Sequence, residues 1–157
     1  MSNNHGDIVI EAPAGYKWDE GTLTKITYVA EAGDVKYESI QKAIDAAKSK
    51  AVVTMLADTR ENVTISKALT LDLNGFTLNG STGERKAALK VDNATVTVKD
   101  SSANQTGTIK REDVEDPNVT GSNSYYVIDI QGGNGLLIFE GGNVTNTSGT
   151  VSYTHLR

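Results

Sequence analysis

Tyr16 and Trp18 stand two positions apart in the run Gly15-Tyr16-Lys17-Trp18, in a chain where aromatic residues make up only 6%. In an extended backbone alternate side chains share a face. Both rings could therefore stack on the C–H face of a pyranose, and these two residues are the candidate ligand-binding pair. The competing expectation is a small satellite core, because Trp and Tyr are highly buried on average.

Carboxylates are the other chemistry on offer. Glu112, Asp113, Glu115 and Asp116 crowd the irregular stretch 111–124, and oxygen ligands at short spacing are what calcium requires. The spacing matches no EF-hand and lacks its glycine, so a solvated charge run is the simpler reading. The two histidines are His5 and His155, and cysteine is absent. Neither a Ser/His/Asp nor a Cys/His nucleophile can be assembled from this inventory. Gly132-Gly133-Asn134-Gly135 lacks the Lys and the following helix of a phosphate-binding loop and reads as a corner. No catalytic residue, metal site or cofactor is expected, and the chain is read as a non-enzyme.

Residues 67–80 organise what must position these groups. Leu69, Leu71 and Leu73 alternate with Thr70 and Asp72, the period of a strand with one buried face. Asn74-Gly75 supplies a sharp corner, and Phe76 and Leu78 resume the alternation. The pattern returns at 94–98 with 107–109, and again at 135–139 with 141–144. Laid together, these copies place Leu71, Val96 and Leu137 in one column, Leu73, Val98 and Phe139 in a second, and Leu78, Ile109 and Val144 in a third. A further strand precedes each copy, at 62–65, 87–91 and 125–130, and 58–61 reads as a corner. The expected fold is all-β, a parallel solenoid of about three coils in which each unit buries its apolar edge against its neighbours.

Several consequences follow from that stacking. Asp129 should lie beside Lys90 of the adjacent coil. Asn93 and Asn134 are candidates for an asparagine ladder. In the middle strands Thr70, Asp72, Thr95, Thr97, Lys99, Leu136, Ile138 and Glu140 point outward, with Asp72 expected to face Thr97, so no acidic cluster builds up there. Residues 136–139 are apolar on both faces and should leave the last coil exposing hydrophobic surface.

The remaining chain divides readily. Residues 1–27 suggest a hairpin, with 8–10 pairing to 23–28. Residues 28–50 suggest a linker strand followed by the one convincing helix, across 37–50. Ile40, Ala43, Ile44 and Ala47 give that helix a single apolar stripe, Ser39 is its N-cap, and Lys48 and Lys50 suit its C-terminal end. A cap over the first coil is the expected role. Residues 51–150 hold the coils, and 151–157 break the pattern.

Composition narrows the partners. A net charge of −5 over 157 residues, with Lys and Arg scattered, offers no basic stripe for nucleic acid. No apolar run approaches the roughly 18 residues of a membrane span, so no membrane insertion is expected.

The order of the 32–47 segment, the apolar strand ending at Asp58, and residues 69–80 resembles the opening of right-handed parallel β-helix modules in bacterial adhesin-like surface proteins, themselves similar to the pectate-lyase-like fold. Residues 96–102 with 107–109 resemble the second coil of such modules, and 137–144 the third. The likeness covers about residues 28–147. It implies a right-handed parallel β-helix with one N-terminal capping α-helix, located extracellularly or at the cell surface, with a structural or adhesive role and a glycan or host surface protein as partner. It also implies that 1–27 closes a preceding module and that more coils of the parent chain lie beyond residue 150. The alternative is the N-terminal fragment of a carbohydrate-active enzyme, a polysaccharide lyase or glycosidase whose catalytic coils lie elsewhere. A self-contained carbohydrate-binding module built on Tyr16 and Trp18 is a third reading. Residues 151–157 resemble a translated sequencing adapter and are read as non-native.

Overall fold

A computed structural model describes residues 10–113 and 126–148, mostly as short strands with one helix. Strands β1 (Tyr16–Asp19) and β2 (Thr22–Lys25) form an antiparallel hairpin. Its corner is Glu20-Gly21, both at positive φ (45° and 81°), as a two-residue turn between right-twisted strands requires. The expected hairpin therefore exists with a different first strand. A tight local turn brings 16–19 to the second strand, while Ile10 is outside any strand and 1–9 lie outside the described residues.

The 28–50 segment holds a second hairpin rather than a single linker strand. Strands β3 (Ala30–Ala32) and β4 (Val35–Tyr37) pair antiparallel across Gly33, whose φ is 62°. Helix α1 (Ile40–Ala46) follows, with Ser39 as N-cap and Ile40, Ala43 and Ile44 buried. It is shorter than the sequence suggests, so Lys48 and Lys50 lie past its end. Lys67 serves that end instead, its Nζ donating to Asp45 O (3.0 Å) and Ala47 O (2.6 Å). At the other end Glu61 accepts from Ile40 N (2.9 Å), Gln41 N (2.8 Å) and Ser39 Oγ (2.8 Å). Free N–H groups at a helix start need such acceptors.

Eleven short strands follow: β5 (Val52–Met55), β6 (Thr59–Arg60), β7 (Val63–Ile65), β8 (Leu69–Asp72), β9 (Thr77–Asn79), β10 (Leu89–Asp92), β11 (Thr95–Lys99), β12 (Thr108–Arg111), β13 (Ile128–Gln131), β14 (Leu136–Phe139) and β15 (Asn143–Asn146). They make three parallel sheets. The first is β7-β10-β13, the second β5-β8-β11-β14, and the third β6-β9-β12-β15, so each strand pairs with the one three elements further along. Strands β3 and β4 extend the second sheet antiparallel beyond β5. Residues 59–60 are thus a strand of the third sheet, where the sequence reads as a corner.

Inward side chains of the sheets merge into one core containing Val53, Met55, Leu71, Leu73, Leu78, Leu89, Val96, Val98 and Ile109, all fully buried. The column Leu78, Ile109, Val144 forms as expected. In the second sheet Val96 pairs with Leu137 and Val98 with Phe139 as expected, while β8 is displaced by two residues, so the columns are Leu69-Val96-Leu137 and Leu71-Val98-Phe139. A two-residue slip keeps the same face inward, so hydrophobic alternation cannot distinguish the two registers.

The corner carboxylates distinguish them. Asp72, only 4% exposed, sits opposite Lys99 rather than Thr97. Its Oδ1 accepts from Asn74 N (3.0 Å) and from Ser101 N in the loop after β11 (2.9 Å). Asp100 repeats the device, taking Gly75 N (2.9 Å), Ser102 N (3.0 Å) and Gly107 N (2.6 Å). Asn74-Gly75 makes the corner read from the sequence, at φ 47° and 83°. Lys90 pairs in register with Asp129, and Asn93 Oδ1 accepts from the backbone N–H of Asn134 (3.2 Å), a side chain-to-backbone contact between the two asparagines. At the far edge Ile130, Leu136, Ile138, Phe139 and Val144 are 38% to 51% exposed, as their placement on the edge strands β13, β14 and β15 requires.

Candidate functional site

The β1–β2 hairpin carries the aromatic pair. Tyr16 and Trp18 alternate with Lys17 and so share a face, with Leu23 directly opposite Trp18 and Lys25 opposite Tyr16. Among the described residues this face is not a satellite core: Tyr16 is 42% and Trp18 47% exposed. The indole is nonetheless held, its Nε1–H donating to Ile10 O (2.9 Å). On the opposite face Lys17 bonds Glu38, next to the Ser39 cap, and ties the hairpin to the body. That hydrogen bond, opposed in part by desolvation and reinforced by the lysine charge, holds the Glu38 carboxyl below its usual range. What results is an anchored, half-exposed aromatic strip, suited to stacking on a flat ligand.

A second constellation lies on the third sheet, in an open groove of about 290 Å³ lined by Asp58, Thr59, Arg60, Thr77, Asn79, Lys110 and Glu112. Parallel stacking creates it. Arg60, Asn79 and Lys110 are successive register partners on β6, β9 and β12, one position past the inward Leu78 and Ile109. Glu112 leaves the end of β12 and folds back over them. Its Oε1 accepts from Asn79 Nδ2 (2.7 Å) and pairs with Arg60 (2.8 Å), and its Oε2 accepts from Lys110 Nζ (2.8 Å). Hydrogen bonds from Lys110 and Asn79, then the two cationic charges, hold this carboxyl below its ordinary range despite partial desolvation. Ser81 completes the network. Its backbone N–H donates to Asn79 Oδ1 (3.0 Å), its carbonyl accepts from Arg60 (2.8 Å), and its hydroxyl accepts from Glu112 N (2.8 Å).

Of the four acidic residues considered for calcium, Glu112 is committed to this network and Asp113 to the buried Arg111. Glu115 and Asp116 lie outside the described residues, as do His5 and residues 151–157. Among the described residues no group of three or more His, Cys, Asp or Glu converges as a metal site. The outward middle-strand positions form the runs Val52-Thr70-Thr97-Ile138 and Thr54-Asp72-Lys99.

Sequence reasoning missed Arg60, Asn79 and Lys110 as neighbours. The signal was available, because Asn79 and Lys110 each follow a member of the one column that was aligned correctly. Protein-family models, curated proteins and solved structures yield no match to this chain.

Proposed function

We propose that this chain is a module of an extracellular bacterial surface protein with a structural or adhesive role, folded as a right-handed parallel β-helix. The observation carrying the reading is the strand pairing from β5 to β15, in which every strand joins the one three elements away in parallel. Such connections are assigned a right hand because a right-twisted strand returns to the same sheet almost always that way. Helix α1 packs on β3, β4, β5 and β7 and acts as the cap of the first coil. Further coils of the parent chain would cover the exposed apolar edge of β13, β14 and β15.

The outward Thr54 run of the second sheet carries two carboxylates, Glu31 on β3 and Asp72 on β8, kept apart by Thr54, and Asp72 is engaged in a corner. That favours a scaffold over a polysaccharide lyase or glycosidase fragment. Tyr16 and Trp18 are the proposed glycan contact, with extended surface glycans or a host surface protein as partner. The chain has one tryptophan, so its fluorescence reports this site alone. Titration with pectin, xylan and mucin glycans should give a saturable change that disappears when Tyr16 is replaced by Ala. A flat response to all three would remove glycan recognition from the reading.

A further inference from the structure

We infer that Lys110 and Asn79 are the two ends of an intramolecular isopeptide bond between β12 and β9, with Glu112 as the proton carrier. The two residues are direct partners across parallel strands, and one carboxylate touches both reacting groups. Glu112 Oε2 holds the Lys110 Nζ at 2.8 Å, and Oε1 holds the Asn79 Nδ2 at 2.7 Å. The amide is oriented for attack. Asn79 is 6% exposed, with Nδ2 toward Glu112 and Oδ1 accepting the Ser81 N–H at 3.0 Å. Those two partners fix the amide orientation, since a flip would bring oxygen against carboxylate and nitrogen against N–H. The Ser81 N–H is also placed to stabilise negative charge on Oδ1.

The reaction balances with no added reagent. Glu112 takes a proton from the Lys110 ammonium, and the neutral Nζ attacks Cγ of Asn79, placing negative charge on Oδ1. Glu112 passes its proton to Nδ2, the Cγ–Nδ2 bond breaks as the carbonyl re-forms, and ammonia leaves. The extra proton on Nζ passes through Glu112 to that ammonia, which departs as ammonium. One C–N bond forms and one breaks, without oxidation or reduction. Lys110 has a flexible four-carbon stem, and attack requires it to carry Nζ to within roughly 3–3.5 Å of Cγ. Arg60, paired with the same carboxylate, makes Glu112 a weaker base and slows its removal of the proton from the Lys110 ammonium. Arg60→Gln should therefore hasten condensation. The product would staple two coils across the surface of the third sheet, a covalent tie suited to a load-bearing module and independent of whether the chain binds a glycan.

Intact-mass spectrometry of the full chain, followed by peptide mapping, tests this. After prolonged incubation the protein should fall below its sequence mass by one ammonia, with a branched peptide joining Asn79 to Lys110. Lys110→Arg and Glu112→Gln, which stay close to the size of the residues they replace, should remain at full mass while keeping the parent circular dichroism spectrum. Asn79 precedes Gly80, so cyclisation to a succinimide would also release ammonia. That product leaves Lys110 unmodified and would persist in Lys110→Arg. Its appearance without the branched peptide overturns the inference, as does a parent protein that stays at full sequence mass.

Discussion

Asp100 shows how much of this fold hangs on single polar side chains. Burial pushes its carboxyl upward, but the Ser102 side chain and the N–H groups of Ser102, Gly107 and Gly75 pull it down further, leaving it below the ordinary value. A carboxyl depressed in the folded state adds stability that is fully present above the unfolded value, near 3.9, and is lost as pH falls through the folded value. Denaturant unfolding followed from pH 6 down to about pH 2 should therefore show a decline below about pH 4 that is shallower in Asp100→Asn. At neutral pH Asp100→Ala should cost about 1–3 kcal/mol, because three N–H groups lose their acceptor. Glu61→Ala removes the acceptor at the start of α1 and should cost about 0.5–2 kcal/mol by the same measurement.

At the scale of elements, close approach between neighbouring strands and their loops limits the glycines. A Cβ on Gly107 would lie 2.5 Å from Leu73 Cβ and 2.6 Å from Asp100 Oδ2, and one on Gly80 would lie 2.5 Å from Ala88. Gly107→Ala and Gly80→Ala should each lose about 1–3 kcal/mol through overpacking. Gly133, with open space around it, should tolerate Ala within about 0.5 kcal/mol. The strands themselves were legible in the sequence because β-branched and Leu residues alternate with Thr and because Asn74-Gly75 marks its corner. Register between β8 and β11 was not legible, since a two-residue slip leaves Leu71 inward either way, and the deciding contact joins Asp72 to Ser101 in the loop after β11. Strand β6 was missed because Thr59–Arg60 is too short to show a period. Of the candidate sites, the Tyr16–Trp18 face could be read from spacing alone. In the groove around Glu112 only the Asn79–Lys110 pairing was legible, from the Leu78-Ile109 column; Arg60 was not, because β6 is too short to show a period, nor was the return of Glu112 over them.

Across the described residues as a whole, α1 and the β3–β4 hairpin lie at one side of the sheets, while at the other β13, β14 and β15 present edges unpaired among the described residues and exposed apolar side chains. An uncharged apolar edge strand is a template for association. Light scattering should show concentration-dependent assembly that Ile138→Lys, an outward position on the edge strand, reduces without changing the unfolding midpoint by more than a few degrees. The central claim is the stacking of parallel strands at a three-element period, and the lack of cysteine allows it to be tested by disulfide trapping. Thr70 and Thr97 are register partners on the outer face of the second sheet, as are Thr97 and Ile138. Cysteine pairs at 70 and 97, and at 97 and 138, should close on mild oxidation, read by mass and by mobility on non-reducing gels, while a pair at 70 and 95 should not. Closure of 70 with 95 in place of 97, or of none of the three, would contradict the stacked arrangement.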